Sequence, residues 1–138
     1  MLKLVLEFLF LTLLCIASIL DIKYRRIPNY IVIAMMFIGA VALVGSCFSL
    51  EHIIGFIFPA IVLWAFSKSH HIGFGDIKLI MAVGLYYGYL PTSIILICAM
   101  LLTSCYGLFC KHKERLELKT VPFAPFVAIF CLIASALL

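Results

Sequence analysis

The chain has 138 residues, 67% of them hydrophobic and 12% charged, with a mean hydropathy of +1.30 and a formal net charge of +4. A soluble core of this size cannot hide so much apolar surface, so the composition excludes a water-soluble globular enzyme. It predicts an all-α integral membrane protein with a single domain over residues 1–138. The basic residues lie in short loops between apolar runs, a pattern that reports membrane orientation and excludes a nucleic-acid partner.

A helical crossing needs about 20 apolar residues. The first predicted span is Leu2–Leu20. Lys3 ahead of an apolar stretch resembles a signal peptide, but Glu7 interrupts it and the small-residue cleavage pattern is poor, so a retained helix is expected. Lys3 and Glu7, one turn apart, predict an interfacial ion pair. The loop Ile22–Asn29 leads to a second span, Tyr30–Leu50. Pro28 holds Ile27 extended, and Asn29 is placed either to cap the second helix or to hydrogen-bond a nearby carboxylate.

Ile53–Phe66 and Leu79–Leu90 are short candidates for the third and fourth spans, followed by Thr92–Cys110 and Val121–Leu138. The last is opened by Pro122-Phe123-Ala124-Pro125-Phe126, where prolines suit a first turn or wall a substrate cleft. If both short runs cross, Lys23, Arg25, Arg26, Lys68, Lys78, Lys111, Lys113, Arg115 and Lys119 share one face and Lys3 alone lies outside. That asymmetry predicts about six transmembrane helices with both termini outside.

The fourth span is the shortest: Ile77 to Leu90 rises about 21 Å as a helix, against a hydrocarbon core of about 30 Å. Ile72-Gly73-Phe74-Gly75-Asp76 is therefore expected to dip inward as irregular backbone lining a wet cavity. Gly73 and Gly75 permit positive φ and close backbone approach beside Asp76. Gly84 and Gly88 form a Gly-x-x-x-Gly pair, a signal of close helix packing.

Other chemistries find no support. The six cysteines fall within or at the ends of apolar runs without a C-x-x-C pair and read as inert thiols. Adjacent His70 and His71 lack the i, i+4 spacing of a zinc helix, and Gly-x-Gly here lacks the third glycine and preceding strand of a nucleotide site. No metal or cofactor is expected.

Asp21 and Asp76 are the only aspartates, and each stands where an apolar run meets the same predicted side of the bilayer. Asp21 alone reads as interfacial solvation. Two such carboxylates converging from separate helices suggest a pair that cannot both ionise cheaply and so holds one proton near neutrality. One member then takes a proton from water while the other polarises a scissile carbonyl. Lys78 and the start of the fourth helix favour charge on Asp76 whereas membrane burial opposes it, so the identity of the base stays open at this level.

Asp21 followed by Ile27-Pro28-Asn29, then Gly73-Phe74-Gly75-Asp76-Ile77-Lys78, then Pro122-Phe123-Ala124-Pro125-Phe126, closely resembles the type IV prepilin peptidases over essentially the whole chain. The resemblance implies that Asp21 and Asp76 are the aspartyl protease pair, with Asn29, Gly73, Gly75, Lys78, Pro122, Phe123 and Pro125 shaping the site or binding substrate. It implies a prepilin-like protein substrate with a short basic leader beside a long apolar helix, cut at the cytoplasmic face of the cell membrane. Lys23, Arg25 and Arg26 are poor partners for a basic leader and read as orientation signals, with anionic lipid as their second use.

Larger bifunctional members resemble this chain only in their C-terminal part, and carry before it a segment with paired cysteines linked to N-methylation. Since this chain starts with its first span, the expectation is a peptidase without methyltransferase activity. Archaeal preflagellin peptidases share the Gly-x-Gly-Asp site and form the near alternative. Outside the hydrolases, a small membrane transporter or a catalytically silent assembly factor would also carry intramembrane acids.

Overall fold

A computed structural model of the chain describes residues 1–45, 50–67, 73–113 and 121–137. These fold into six α-helices, with no strand among the described residues: α1 (Leu2–Tyr24), α2 (Asn29–Gly45), α3 (Leu50–Ser67), α4 (Phe74–Tyr87), α5 (Tyr89–Lys113) and α6 (Ala124–Leu137). The expectations for His70 and His71, and for Lys68, Ile72, Arg115 and Lys119, fall outside the described residues.

Leu2–Tyr24 and Tyr89–Phe109 are long and apolar enough to cross a membrane, while Asn29–Gly45, Leu50–Ala65 and Ala124–Leu137 are shorter apolar helices. Phe8, Ile33, Phe37, Trp64, Ile94 and Ile133 point outward from the bundle. Helices apolar on the outside as well as the inside are those whose solvent is lipid.

The short α4 sits at the centre, packed against α2, α3 and α5, while α1 packs on α2 and α6 and α5 packs on α3 and α6. Ile77, Leu79, Ile80, Ala82, Val83 and Gly84 of α4 are buried, and the core continues through Phe10, Leu14, Met35, Leu63 and Val127. A Cβ at Gly84 would overlap the Gly55 carbonyl, so α3 and α4 meet backbone to backbone, the close packing that the Gly84/Gly88 spacing predicts. Gly88 has a different duty. Its φ of 85° turns the chain from α4 into α5 across a single residue.

Several helix limits differ from the sequence expectation. α1 continues past Leu20 to Tyr24, because lysine and tyrosine favour no stop; it ends where Arg25 adopts the left-handed φ of 52° and its N–H reaches the Asp21 carbonyl at 2.8 Å. The fourth helix begins at Phe74 and ends at Tyr87, so Tyr89 and Leu90 belong to α5, and the Phe74–Asp76 segment is helical first turn rather than irregular backbone. Gly73 has φ −69° as the residue before the helix, so no positive φ is used there. Leu50, assigned by hydropathy to the second span, starts α3. Glu7 takes the Ser135 hydroxyl at 2.6 Å rather than pairing with Lys3. That bond ties α1 to α6 at the end far from Asp21.

Substituting Gly84 by Val should lower the unfolding free energy in detergent by about 1–3 kcal/mol, since overpacking forces α3 off α4. Gly45→Ala, where an added Cβ meets nothing within 4 Å, should stay within about 0.5 kcal/mol of the parent.

Candidate active site

Asp21 occupies the last turn of α1 and is only 7% exposed. What meets it is the start of α6. A helix start leaves its first N–H groups without intrahelical partners. Here Pro122 and Pro125 carry no N–H at all, and the N–H groups of Phe126 and Val127 both turn to the Phe123 carbonyl, at 3.2 and 3.3 Å. The remaining donor, Ala124 N–H, reaches Asp21 Oδ2 at 3.1 Å, and the Phe123 N–H faces the same carboxylate. The two prolines thus remove competing donors and leave two amides aimed at one acid.

Ser18, one turn earlier on α1, secures this docking. Its Oγ lies 2.8 Å from the Leu14 carbonyl and 3.2 Å from that of Ala124. The positive end of α6 therefore rests on a serine hydroxyl and a carboxylate of the same helix face.

Asp76 is the third residue of α4 and half-buried. Its own N–H bonds the Gly73 carbonyl at 3.0 Å, and its carboxylate folds back toward the Gly73 N–H, the arrangement of an acidic residue in a helix first turn. Asp21 and Asp76 lie within electrostatic reach of each other.

Both carboxylates open on one cleft of about 370 Å³. Asn29, Gly73, Gly75, Lys78 and Pro122 line it as well. Phe123 is buried behind the cleft wall, and Pro125, partly buried, also lies off the lining. The glycines keep the surroundings of Asp76 open: a Cβ at Gly75 would stand 3.5 Å from Ile27, and one at Gly73 3.5 Å from Asp76 Oδ2, both ordinary contact distances. Their role here is space rather than backbone conformation.

Asn29 neither caps α2 with its side chain nor reaches a carboxylate. Its Oδ1 accepts from Lys78 Nζ at 3.1 Å, linking α2 to α4 at the cleft rim and drawing the ammonium to Asn29 instead of Asp76. Three lining residues were not predicted to shape the site: Phe74 and Val121 had no assigned part, and Arg25 was read only as an orientation or lipid-contact residue. Arg25, the left-handed residue that ends α1 four positions after Asp21, lines the cleft with its charge acting on that carboxylate. Its i, i+4 spacing was visible, but only a helix running past Asp21 gives that spacing meaning. Exposed Phe74 adds an aromatic surface beside Asp76, and Val121 completes the wall before Pro122. Among the described residues no group of three or more His, Cys, Asp or Glu gathers that would hold a metal.

An all-helical bundle with apolar exteriors and two helix-end carboxylates on one cleft defines a class: a helical membrane protein with a polar cleft between its helices. The chain belongs to the type IV leader peptidase family, whose sequence model matches residues 8–108 and so includes both aspartates. It is similar to a prepilin leader peptidase/N-methyltransferase of Bacillus subtilis (strain 168), 30% identical over 132 residues that cover 91% of this chain and 52% of the relative. A prepilin leader peptidase/N-methyltransferase of Burkholderia pseudomallei (strain 1026b) is 28% identical over 121 residues, covering 80% of this chain and 39% of the relative. The chain thus spans about half or less of these curated relatives. No solved structure matches it.

The helix-cap role of Asp21 is separable from chemistry. Asp21→Leu strands the Ala124 N–H and should cost about 0.5–2 kcal/mol of stability in a denaturant titration. Asp21→Asn keeps an acceptor oxygen and should unfold close to the parent midpoint.

Proposed function

We propose that this protein is a membrane aspartyl endopeptidase that removes the basic leader from prepilin-like proteins at the cytoplasmic face of the cell membrane. The observation that carries the reading is the meeting of Asp21 and Asp76, from helices far apart in sequence, on one cleft. Membership of the leader peptidase family and the names of its relatives support the substrate class. Two carboxylates in this relation share a single proton, giving one acid and one base at the same pH. The base takes a proton from a water as its oxygen attacks the scissile carbonyl; the acid polarises that carbonyl.

The substrate's apolar helix stays in the bilayer beside the bundle, and its leader projects at the cleft end. The cations on this end, Lys23, Arg25, Arg26 and Lys78, support a cytoplasmic position for it under the positive-inside rule. In this topology the chain crosses about six times as a single domain, with α4 short because its first turn forms the floor of a wet cleft rather than reaching the membrane surface.

Asp21→Asn and Asp76→Asn should each abolish cleavage of a co-reconstituted prepilin, by about 10³-fold or more, while the protein remains folded. The double variant should be no worse than either single, as for residues acting as a unit. Cleavage that persists in either single variant would remove the aspartyl assignment. For the topology, a cysteine replacing Lys23 should react with a membrane-impermeant maleimide only after the inner face is opened, and one replacing Leu50 should react from outside in intact cells.

A further inference from the structure

Two carboxylates that share a proton are not interchangeable if their surroundings differ, and here, although both line the same cleft, they differ in the donors and charges that face them. The Asp21 carboxylate receives Ala124 N–H at 3.1 Å and faces the Phe123 N–H, at the positive end of the 14-residue α6. It also has the charge of Arg25, the residue that ends its own helix, acting on it. Asp76 has the Gly73 N–H and the first turn of α4. The cation nearest to it in sequence, Lys78, is two residues along α4, where side chains do not face each other, and its Nζ bonds Asn29 Oδ1 at 3.1 Å. The charged groups around Asp21 are thus Arg25 at the end of α1 and Asp76 from α4, with Arg26 and Lys78 on the rim. Among the residues named here, α6 offers backbone amides and α2 the neutral Asn29.

Charge-assisted hydrogen bonds to an anion are roughly twice as strong as neutral ones, so two aimed amides and a cation against one amide select where the charge resides. We propose that Asp21 carries the negative charge and acts as the base toward water, while Asp76 holds the proton and delivers it to the scissile carbonyl, with Arg25 as the positioning residue that keeps the charge on Asp21. This assignment rests on the aspartyl-peptidase reading above.

The cycle closes with atoms balanced. Asp21 takes one proton of the water, whose oxygen bonds the carbonyl carbon as Asp76 gives its proton to the carbonyl oxygen, forming a neutral gem-diol. Asp21 then passes its proton to the amide nitrogen, one gem-diol hydroxyl returns a proton to Asp76, and the carbon–nitrogen bond breaks. Carboxylic acid and amine leave, with Asp21 ionised and Asp76 protonated as at the start.

The shared proton makes the assignment testable, because kcat/KM falls on the acid side as the pair gains its second proton and on the alkaline side as it loses its last. A change that weakens charge on Asp21 alone moves the acid limb upward and leaves the alkaline limb in place if the single charge sits on Asp21. If the charge sits on Asp76, the acid limb stays and the alkaline limb moves instead. Arg25→Asn is the variant of choice, since asparagine accepts the left-handed backbone at this position. Arg25→Gly, equally compatible with φ 52°, serves if the first does not fold.

With the full-length protein in detergent and one prepilin substrate, the neutral variant should move the acid limb up by about half a pH unit with the alkaline limb unmoved. Arg25→Lys, which keeps a cation, should restore the parent profile. Movement of the alkaline limb, or of neither, overturns the assignment while leaving the pair itself intact; cleavage by Asp21→Asn or Asp76→Asn overturns the underlying reading instead.

Discussion

The site depends on one contact: the carboxylate of Asp21 receiving the first amide of α6, 103 residues away in sequence. A buried helix start must place its unpaired N–H groups somewhere, because residues as enclosed as Phe123 and Ala124 are shielded from water. The chain reduces the need by putting prolines at 122 and 125, and meets what is left with the acid on α1. The same bond fixes which way Asp21 points. One oxygen is held by α6, and the carboxylate's remaining acceptor capacity is available to the cleft. The same side chain therefore caps a helix and faces the cleft, and the buried position of Asp21 does not by itself decide which of these it serves.

The height of Asp76 is set from the opposite end. Phe10 of α1 stacks on Tyr86 of α4 with ring centroids 4.5 Å apart and meets Tyr87 edge-on at 6.0 Å. From that contact, eleven residues along α1 lead to Asp21, about 16 Å, and ten residues back along α4 lead to Asp76, about 15 Å. The two helices run in opposite directions, so equal paths from a shared aromatic contact bring the carboxylates to nearly the same level. Backbone contact between Gly55 and Gly84 holds α4 laterally while the aromatic stack sets its register.

Helical class and the two aspartates were legible because both are local properties: apolar run length, and acids at the ends of such runs. The close approach at Gly84 was legible for the same reason. Helix ends were not, since hydropathy marks where side chains leave an apolar solvent whereas a helix ends where its backbone is stopped. Lys23 and Tyr24 look like loop and are helix; Phe74 to Asp76 look like loop and are first turn, where glycine costs little. Partners were the least accessible. Glu7 found Ser135, 128 residues away, rather than Lys3, and Asn29 found Lys78 rather than the helix N–H groups next to it. Only the three-dimensional packing of α1 on α6 and α2 on α4 creates these pairs.

The Asn29–Lys78 link changes how the cleft's charge is distributed. An ammonium free to approach Asp76 would favour ionising it, and two anions would then face each other with no proton to share. Held at 3.1 Å by a neutral amide oxygen on another helix, Lys78 contributes positive potential at the rim without a direct bond to either acid. Arg25, by contrast, directly follows the helix of the acid it acts on, and is the one non-glycine residue of positive φ among those described. Left-handed backbone at an arginine costs of order 1–3 kcal/mol unless its surroundings demand it. Here the demand is twofold: α1 must end within one turn of Asp21 so that Pro28 can start α2, and the guanidinium must remain beside the cleft.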